Sequence, residues 1–441
     1  MPTQTATLII GAGPTGLSAA YHARPHSDYL LIEREDRVGG LCRSIYQQGF
    51  TFDYAGHIIF TADPYIREVI YPLLLDHAGG IHWQYREAWI YSKRTYTRYP
   101  FQASTYGLPV EVVKECILGA IEAWKAADAS RRPKNFAEFI QMVWGPGIGK
   151  HFMVPYNRKL WTVPLEEMSW TWLNGRVPQP NIEEVIDGAL QPQPKPMGPN
   201  ARFGYPRRNG YEALMRGWLK HLDPSRIRTG MAVVAVDPAA HEATLSSGEK
   251  IHYTHLINTS PLPEFVKLVA GLPAEVCAAA GRLRHVSIRC VNLGLARPDV
   301  SDKHWIYYPE ERPLFHRLFI QSNAAPGLTP PGCSSLTAEI SYSPLKPLPA
   351  QGDALIRRVI DDCCAVGILR PEDSILTAGE VDIPYAYVVP DLHKEEAAAI
   401  ILDALRRWGI ISAGRFGEWQ YLNTDHCFLA GKRAAEQINV S

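Results

Sequence analysis

An α/β fold follows from three features of the 441-residue sequence. Residues 7–10, TLII, form a short continuous apolar run suited to a buried strand, and GAGPTG follows directly. Residues 105–200 carry helical periodicity. Residues 285–390 carry short strand-like runs rich in β-branched and aromatic residues. Together they predict a Rossmann-type nucleotide-binding domain with a helical insertion and a mostly antiparallel β-sheet substrate domain. The expected boundaries give the nucleotide-binding domain three parts, 1–80, 201–262 and 401–441. Strands at 81–104 and residues 263–400 go to the sheet domain, and 105–200 to the helical domain.

The N-terminal element is the most specific. Gly11, Gly13 and Gly16 have the G-x-G-x-x-G spacing, LSAAYHA continues as a helix, and a second strand, YLLIE, ends at Glu33. Gly11 suits the tight turn, Gly13 the approach of a pyrophosphate, and Gly16 the packing of helix on strand. The helix dipole then faces the phosphates. Glu33 can accept a hydrogen bond from a ribose hydroxyl. After this acid comes REDRVGGLCRS, whose Gly39, Gly40 and Arg43 suit an FAD pyrophosphate wrapped by a second glycine pair. At the other end, 414–438 reads as a loop, a polar helix start at Asp425 and a small-residue helix. Such a helix start can face the flavin and stabilise negative charge on it. A plain C-terminal helix is the alternative reading.

Between these ends, residues 110–128 place Val113, Cys116, Ile117, Ala120, Ile121 and Trp124 on one helical face. Asn135 and Glu138 have capping-box spacing ahead of a second helix, 135–143, and 180–190 is a third. QPQPKPMGPN (191–200) is a loop. MAVVAVD, EATLSS and IHYTHLINTSP alternate as strands returning to the nucleotide domain. RCVNLGLA, HWIYYP, LFHRLFIQS, SSLTAEISYS and DIPYAYVV then supply the antiparallel sheet.

Composition bounds the partners. The 45 basic and 45 acidic residues balance, which argues against a general nucleic-acid or anionic-membrane surface. The eight cysteines show no CxxC and no metal spacing, as expected of thiols in a reducing compartment. No apolar run is long enough to span a bilayer and the N-terminus has no signal-peptide pattern, so a cytoplasmic protein without metal is expected. The oligomeric state is left open.

One stretch, YAGHIIF (54–60), poses a question: a histidine after two small residues suits core filler, a proton shuttle or a lid over a cofactor. It also opens a series of strings. YAGHIIF, YPFQ (99–102), PYNRKLWTVP (155–164), WLNGRV (172–177), GPNARFGYP (198–206), WIYYPEERPLFHR (305–317), AYVVPDL (386–392) and GRFGEWQYLNTDH (414–426) occur in order along nearly the whole chain. In these the sequence resembles the UDP-galactopyranose mutases, most of all their eukaryotic-type branch.

The resemblance implies a reduced FAD (FADH⁻) whose N5 attacks the sugar anomeric carbon and displaces UDP. The ring then opens and recloses as a furanose, with NADPH or NADH as external reductant. Gly56 and His57 match a Gly-Gly-His loop beside the flavin that moves with its redox state. Arg415, Asn423 and Asp425 fall with the cofactor. Arg176 and Arg317 match the arginines that clamp the UDP diphosphate, and with His57 they are the expected catalytic residues. Independently, a departing diphosphate needs fixed positive charge, best supplied by bidentate arginine. Tyr99, Phe101 and Gln102 match the uridine-binding segment, flanked by Asn157 and Trp161. Trp305 and Tyr307 lie beside Arg317, Tyr387 and Tyr421 match diphosphate-contacting tyrosines, and Asn200 matches a polar residue near the sugar. Two departures stand out. Ala55 replaces the first glycine of the loop, leaving the backbone less free. Ala324 replaces a family tyrosine after Ser-Asn, removing a hydroxyl from the diphosphate site. There are also two fewer residues between Tyr421 and Asn423. A UDP-hexose or UDP-pentose other than galactose therefore stays open as substrate. So do an oxidase or desaturase of the amine-oxidase type and a flavin-binding protein without catalysis.

Overall fold

The computed structural model describes residues 3–128, 130–173, 176–193, 197–198 and 201–438. Its nucleotide-binding sheet is assembled from distant parts of the chain. The first strand, Thr3–Ile10, lies between Tyr29–Ile32 and Lys250–Asn258, parallel to both. Ile410–Ser412 adds in parallel to Lys250–Asn258. Glu242–Leu245 and Val233–Asp237 extend that side as antiparallel strands, and Ile227–Arg228 adds in parallel beside Tyr29–Ile32. Leu8, Ile9, Leu30 and Leu31 are buried because a parallel sheet is covered on both faces, which is why they read as continuous apolar runs. The helix Pro14–Ala23 starts with proline in its first turn and packs on the C-terminal helix Thr424–Ile438. Their small residues permit a close crossing: a Cβ on Gly431 would lie 2.3 Å from the Thr15 carbonyl oxygen.

The second sheet runs Ile375–Val388, His285–Leu295, Ser334–Tyr342, Arg317–Phe319, Trp305–Tyr307, Ala88–Ser92, Thr95–Arg98. All its pairings are antiparallel except the parallel one between Trp305–Tyr307 and Ala88–Ser92. Its register matters for the site. Tyr307 pairs with Arg317, Arg317 with Glu339, and Glu339 with Cys290. Directly opposed residues share a face, so phenol, guanidinium, carboxylate and thiol stand in one row. Trp305 and Phe319, paired two residues away, share that face as a stacked pair at 4.7 Å. Ile81–Tyr85 does not join this sheet; it pairs with Arg202–Pro206 in a separate ribbon. The helix Asp353–Ala365 interrupts the region read as strands, and the helix Lys394–Arg407 follows it.

The insertion holds the expected helices, as Val110–Lys125, Phe136–Val143 and Ile182–Leu190. It also holds a helical run through Gly145–Trp161 that the sequence reading did not anticipate. Two expectations need correction. The buried face of Val110–Lys125 is Val112, Cys116, Gly119, Ala120 and Ala123, while Trp124 is 61% exposed. The neighbouring helix approaches too closely for large side chains, since a Cβ on Gly147 would lie 2.0 Å from the Glu115 carbonyl oxygen. The contact line therefore runs along the small residues. The Asn135 capping box is only half formed. Asn135 accepts from the Glu138 N–H, but the Glu138 carboxylate accepts from Lys134 N and Arg131 instead. The complete box is at Asn181 and Glu184. All eight cysteines are free thiols. Among the described residues, no helix is long and apolar enough to cross a membrane.

Candidate active site

The glycine loop has the shape of a phosphate cradle. Gly11 adopts φ +95°, and a Cβ there would lie 2.5 Å from Thr259 Oγ1. A Cβ on Gly16 would sit 1.8 Å from the Gly11 carbonyl oxygen. Gly13 differs: the nearest atom to a Cβ would be Gly40 Cα at 3.9 Å. Packing within the chain does not demand glycine at 13, whereas a pyrophosphate lying against the backbone does. Gly39 and Gly40, at φ +120° and +54°, close the other wall, tied by the Gly39 N–H donating to the Ala12 carbonyl at 2.8 Å. Glu33 is buried; its carboxylate accepts from Ala12 N at 2.7 Å and Glu35 N at 2.9 Å, which leaves lone pairs for a hydroxyl. Arg43 is buried beneath the turn, donating to the Gly40 carbonyl at 2.9 Å. The cradle therefore fits a dinucleotide such as FAD.

The YAGHIIF loop lies against the second sheet at Trp305 and Phe319. Ala55 takes φ +66°, the left-handed conformation natural to glycine. For alanine this costs about 1–2 kcal/mol. Packing on Ile288, Cys290, Ile383 and Ala386 holds it there. Gly56 is needed for a different reason: a Cβ would lie 2.9 Å from Trp305 Nε1 and 3.1 Å from Phe319 Cγ. The His57 ring stacks on Tyr211, 4.8 Å between centroids. Its Nδ1 is 3.2 Å from the Ala55 carbonyl, which can only accept, so Nδ1 carries the proton and Nε2 is the basic nitrogen of the neutral ring. Burial lowers the His57 pKa, opposed by the charge of Asp53 and the Ala55 carbonyl. Tyr211 in turn donates its hydroxyl to the Ile58 carbonyl at 2.8 Å and lies 3.1 Å from Thr424 Oγ1 at the start of the C-terminal helix.

Asp53 anchors this loop. It is fully buried and accepts from Ser44 Oγ (2.6 Å), Tyr205 OH (2.5 Å), Gln321 Nε2 (3.1 Å) and Tyr211 N (3.2 Å). Four donors compensate one buried carboxylate. The sequence marks Asp53 only as the residue before the loop, because its partners come from three stretches of chain, around Ser44, Tyr205–Tyr211 and Gln321.

The arginines lie at the ends of an aromatic row. Arg317 donates to Glu339 Oε2 from Nε at 3.1 Å and Nη2 at 2.5 Å, and Nη2 is 3.4 Å from Tyr387 OH. Burial pulls the Arg317 pKa down, but Glu339 and the nearby phenols outweigh it and hold it well above its ordinary value. Tyr387 packs on Tyr421 at 5.7 Å, and Trp161 meets both rings edge-on. Burial raises the Tyr387 hydroxyl to about 12, so it stays a donor at neutral pH. Arg176 is exposed, donates to the Tyr421 carbonyl at 2.6 Å and lies over the Tyr421 ring. Arg415 lies over Tyr387 and Tyr421 and donates to the Leu422 and Ala386 carbonyls, while its buried Nε has no hydrogen-bond partner among the described residues. Arg86, which the sequence reading passed over, donates to Tyr307 OH at 2.5 Å and lies over Tyr99 and Trp305. Ala324 is fully buried.

The remaining expected residues divide. Tyr99 packs on Tyr307 at 5.4 Å. Phe101 is fully buried, stacked on Phe152, and so forms core rather than an open platform. Gln102 is buried too; it donates to the Pro178 carbonyl, but its Oε1 has no partner among the described residues. Asn157 is buried and donates to the Met153 carbonyl at 2.8 Å. Asn423 is exposed just before the C-terminal helix, where Asp425 is buried beside His426 Nδ1 at 3.0 Å. Asn200 lies outside the described residues.

Fold and cradle define a Rossmann-type protein built like the flavoprotein mutases. A model of the NAD(P)-binding Rossmann-like domain matches residues 9–71. The crystal structure of a reduced UDP-galactopyranose mutase superposes with a TM-score of 0.92 at 30% identity, over 98% of this chain and 95% of that one. The chain belongs to the UDP-galactopyranose mutase family. Putrescine oxidase bound to putrescine superposes at a TM-score of 0.67 and 16% identity over 99% of both chains, a likeness of fold alone. A fatty acid isomerase from P. acnes that produces CLA does so at 0.65 and 13%, over 98% of both.

Proposed function

We propose that the protein is an FAD-dependent isomerase that interconverts the pyranose and furanose forms of a UDP-sugar. The observation that carries this reading is the row Arg317–Tyr387–Tyr421–Arg176 beside the His57 loop. It offers two guanidinium groups and two phenols to a diphosphate, and a diphosphate is what must depart and return in such an isomerisation. Reduced flavin supplies a nucleophilic nitrogen, and the sugar keeps its oxidation level, so no electrons are consumed overall. The chain's own residues do the rest. Gly13 and the Gly39–Gly40 turn admit the pyrophosphate, with Glu33 for the ribose. Arg317 and Arg176 offset the charge on departing UDP. Tyr387, protonated at neutral pH, donates to it. The His57 ring, stacked on Tyr211, fixes the loop beside the cofactor.

The test is anaerobic turnover of dithionite-reduced enzyme with a UDP-sugar panel that includes UDP-galactose, read by NMR. Furanose product should accumulate over many turnovers per reduction, and oxidised enzyme should be inactive. NADH or NADPH should serve only to reduce the flavin. Stoichiometric nicotinamide consumption per product, or activity of oxidised enzyme alone, would overturn the reading in favour of an oxidase.

A further inference from the structure

Glu339 joins two parts of the site that are far apart in sequence. It stands in the strand Ser334–Tyr342 with its side chain fully buried. Its two oxygens are divided. Oε2 takes both N–H donors from Arg317, while Oε1 accepts from the backbone N–H of Gly56 at 3.2 Å. Arg317 thus spends its Nε side on Glu339, and its Nη1 has no hydrogen-bond partner among the described residues. That end of the fork is the one a diphosphate oxygen can take. On the other side, the 54–58 loop holds alanine at φ +66° and a glycine pressed against Trp305 and Phe319. A strained segment of this kind stays in place only while its contacts over-determine it. Behind the carboxylate, His316 Nε2 lies 3.7 Å from Oε2 without a hydrogen bond, so it does not compete for the lone pairs.

We propose that Glu339 is a positioning residue that couples occupation of the diphosphate clamp to the position of the Ala55–His57 loop. The inference rests on the reading of Arg317 as a diphosphate ligand beside a flavin. A diphosphate on Arg317 draws the guanidinium toward itself. Glu339 follows, because its carboxylate is bonded to the same guanidinium, and the Gly56 N–H that it holds is drawn or released with it. Coupling between sites requires a link whose state both sites bias, and this carboxylate is in direct contact with both.

Two substitutions separate the halves of the link. Glu339→Gln keeps the shape, but an amide has one acceptor end, so it serves Arg317 or Gly56 and not both. Glu339→Asp keeps the charge for Arg317 but is one methylene, about 1.5 Å, too short to hold Gly56 as well. The measurement is hydrogen–deuterium exchange of a peptide spanning residues 54–60 in FAD-loaded enzyme, with and without saturating UDP. In the wild-type protein UDP should change exchange there by about fivefold or more, the lower end of typical coupling between sites. In both variants, with UDP bound, the change should fall below about twofold. A purely structural role would alter exchange equally with and without UDP. Should E339Q fail to retain FAD, E339D carries the test. A wild-type loop response in either variant overturns the proposal, as does a wild-type loop indifferent to bound UDP. Wild-type enzyme that binds FAD but no UDP overturns the diphosphate reading itself.

Discussion

Replacing Arg317 by alanine should damage stability and binding together, and the two losses should come apart in a double variant. Glu339 is fully buried and takes two of its three hydrogen bonds from Arg317. Removing one partner of a buried ion pair leaves an uncompensated charge, at a cost of about 3–5 kcal/mol. Losing a desolvated charged contact to the ligand costs about 2–5 kcal/mol, or roughly 30-fold to several-thousand-fold in UDP affinity. Arg317→Ala should therefore melt well below the wild type and bind UDP weakly. In Arg317→Ala/Glu339→Gln no charge is stranded, so more than about half of the lost stability should return. UDP affinity should not return, because nothing replaces the cation. Thermal melts at one scan rate and UDP titration calorimetry on the four proteins of this cycle decide the matter. A wild-type melt of Arg317→Ala, or UDP binding recovered in the double variant, would refute the stranded-charge account.

Ala55→Gly should relieve left-handed strain of about 1–2 kcal/mol against an entropic cost of about 0.5–1 kcal/mol. Its melt should therefore be unchanged or slightly raised while loop exchange increases, and a loss above about 1 kcal/mol would contradict the strain argument. His304 is buried, donates Nε2–H to Gln84 Oε1, accepts from Glu87 N at Nδ1, and has its pKa lowered by burial to about 4 from 6.5. The unfolded chain binds that proton first, so its contribution is present above pH 6.5 and is lost as pH falls toward 4, by about 3 kcal/mol at full extent. His304→Asn should flatten the stability–pH profile across that window, and an unchanged profile would exclude His304 as its source. Acid precipitation of the purified yellow protein should release FAD, since no attachment to the chain is expected; flavin that stays with the pellet would refute this.

Much was legible in the sequence for local reasons. TLIIGAGPTG announced the cradle because a tight turn, a close helix and a near phosphate each restrict one position to glycine within ten residues. Buried parallel strands read as continuous apolar runs, and the C-terminal helix was marked by its polar start and small residues. Only the packed chain could reveal which face of Val110–Lys125 is buried, because glycines on the neighbouring helix select the contact line. It also decided that Phe101 and Gln102 go inside.

The nucleotide-binding fold and the candidate site residues were readable from the sequence, because turn chemistry and hydrophobic period act over a few residues. The tertiary structure alone decided the connections: Asp53 with Ser44, Tyr205, Tyr211 and Gln321, and Glu339 between Arg317 and Gly56. Each of these is a buried carboxylate satisfied mostly by donors from distant segments. No local pattern encodes them, because a buried charge must be compensated by whichever donors the strand register and the loop path bring within about 3 Å.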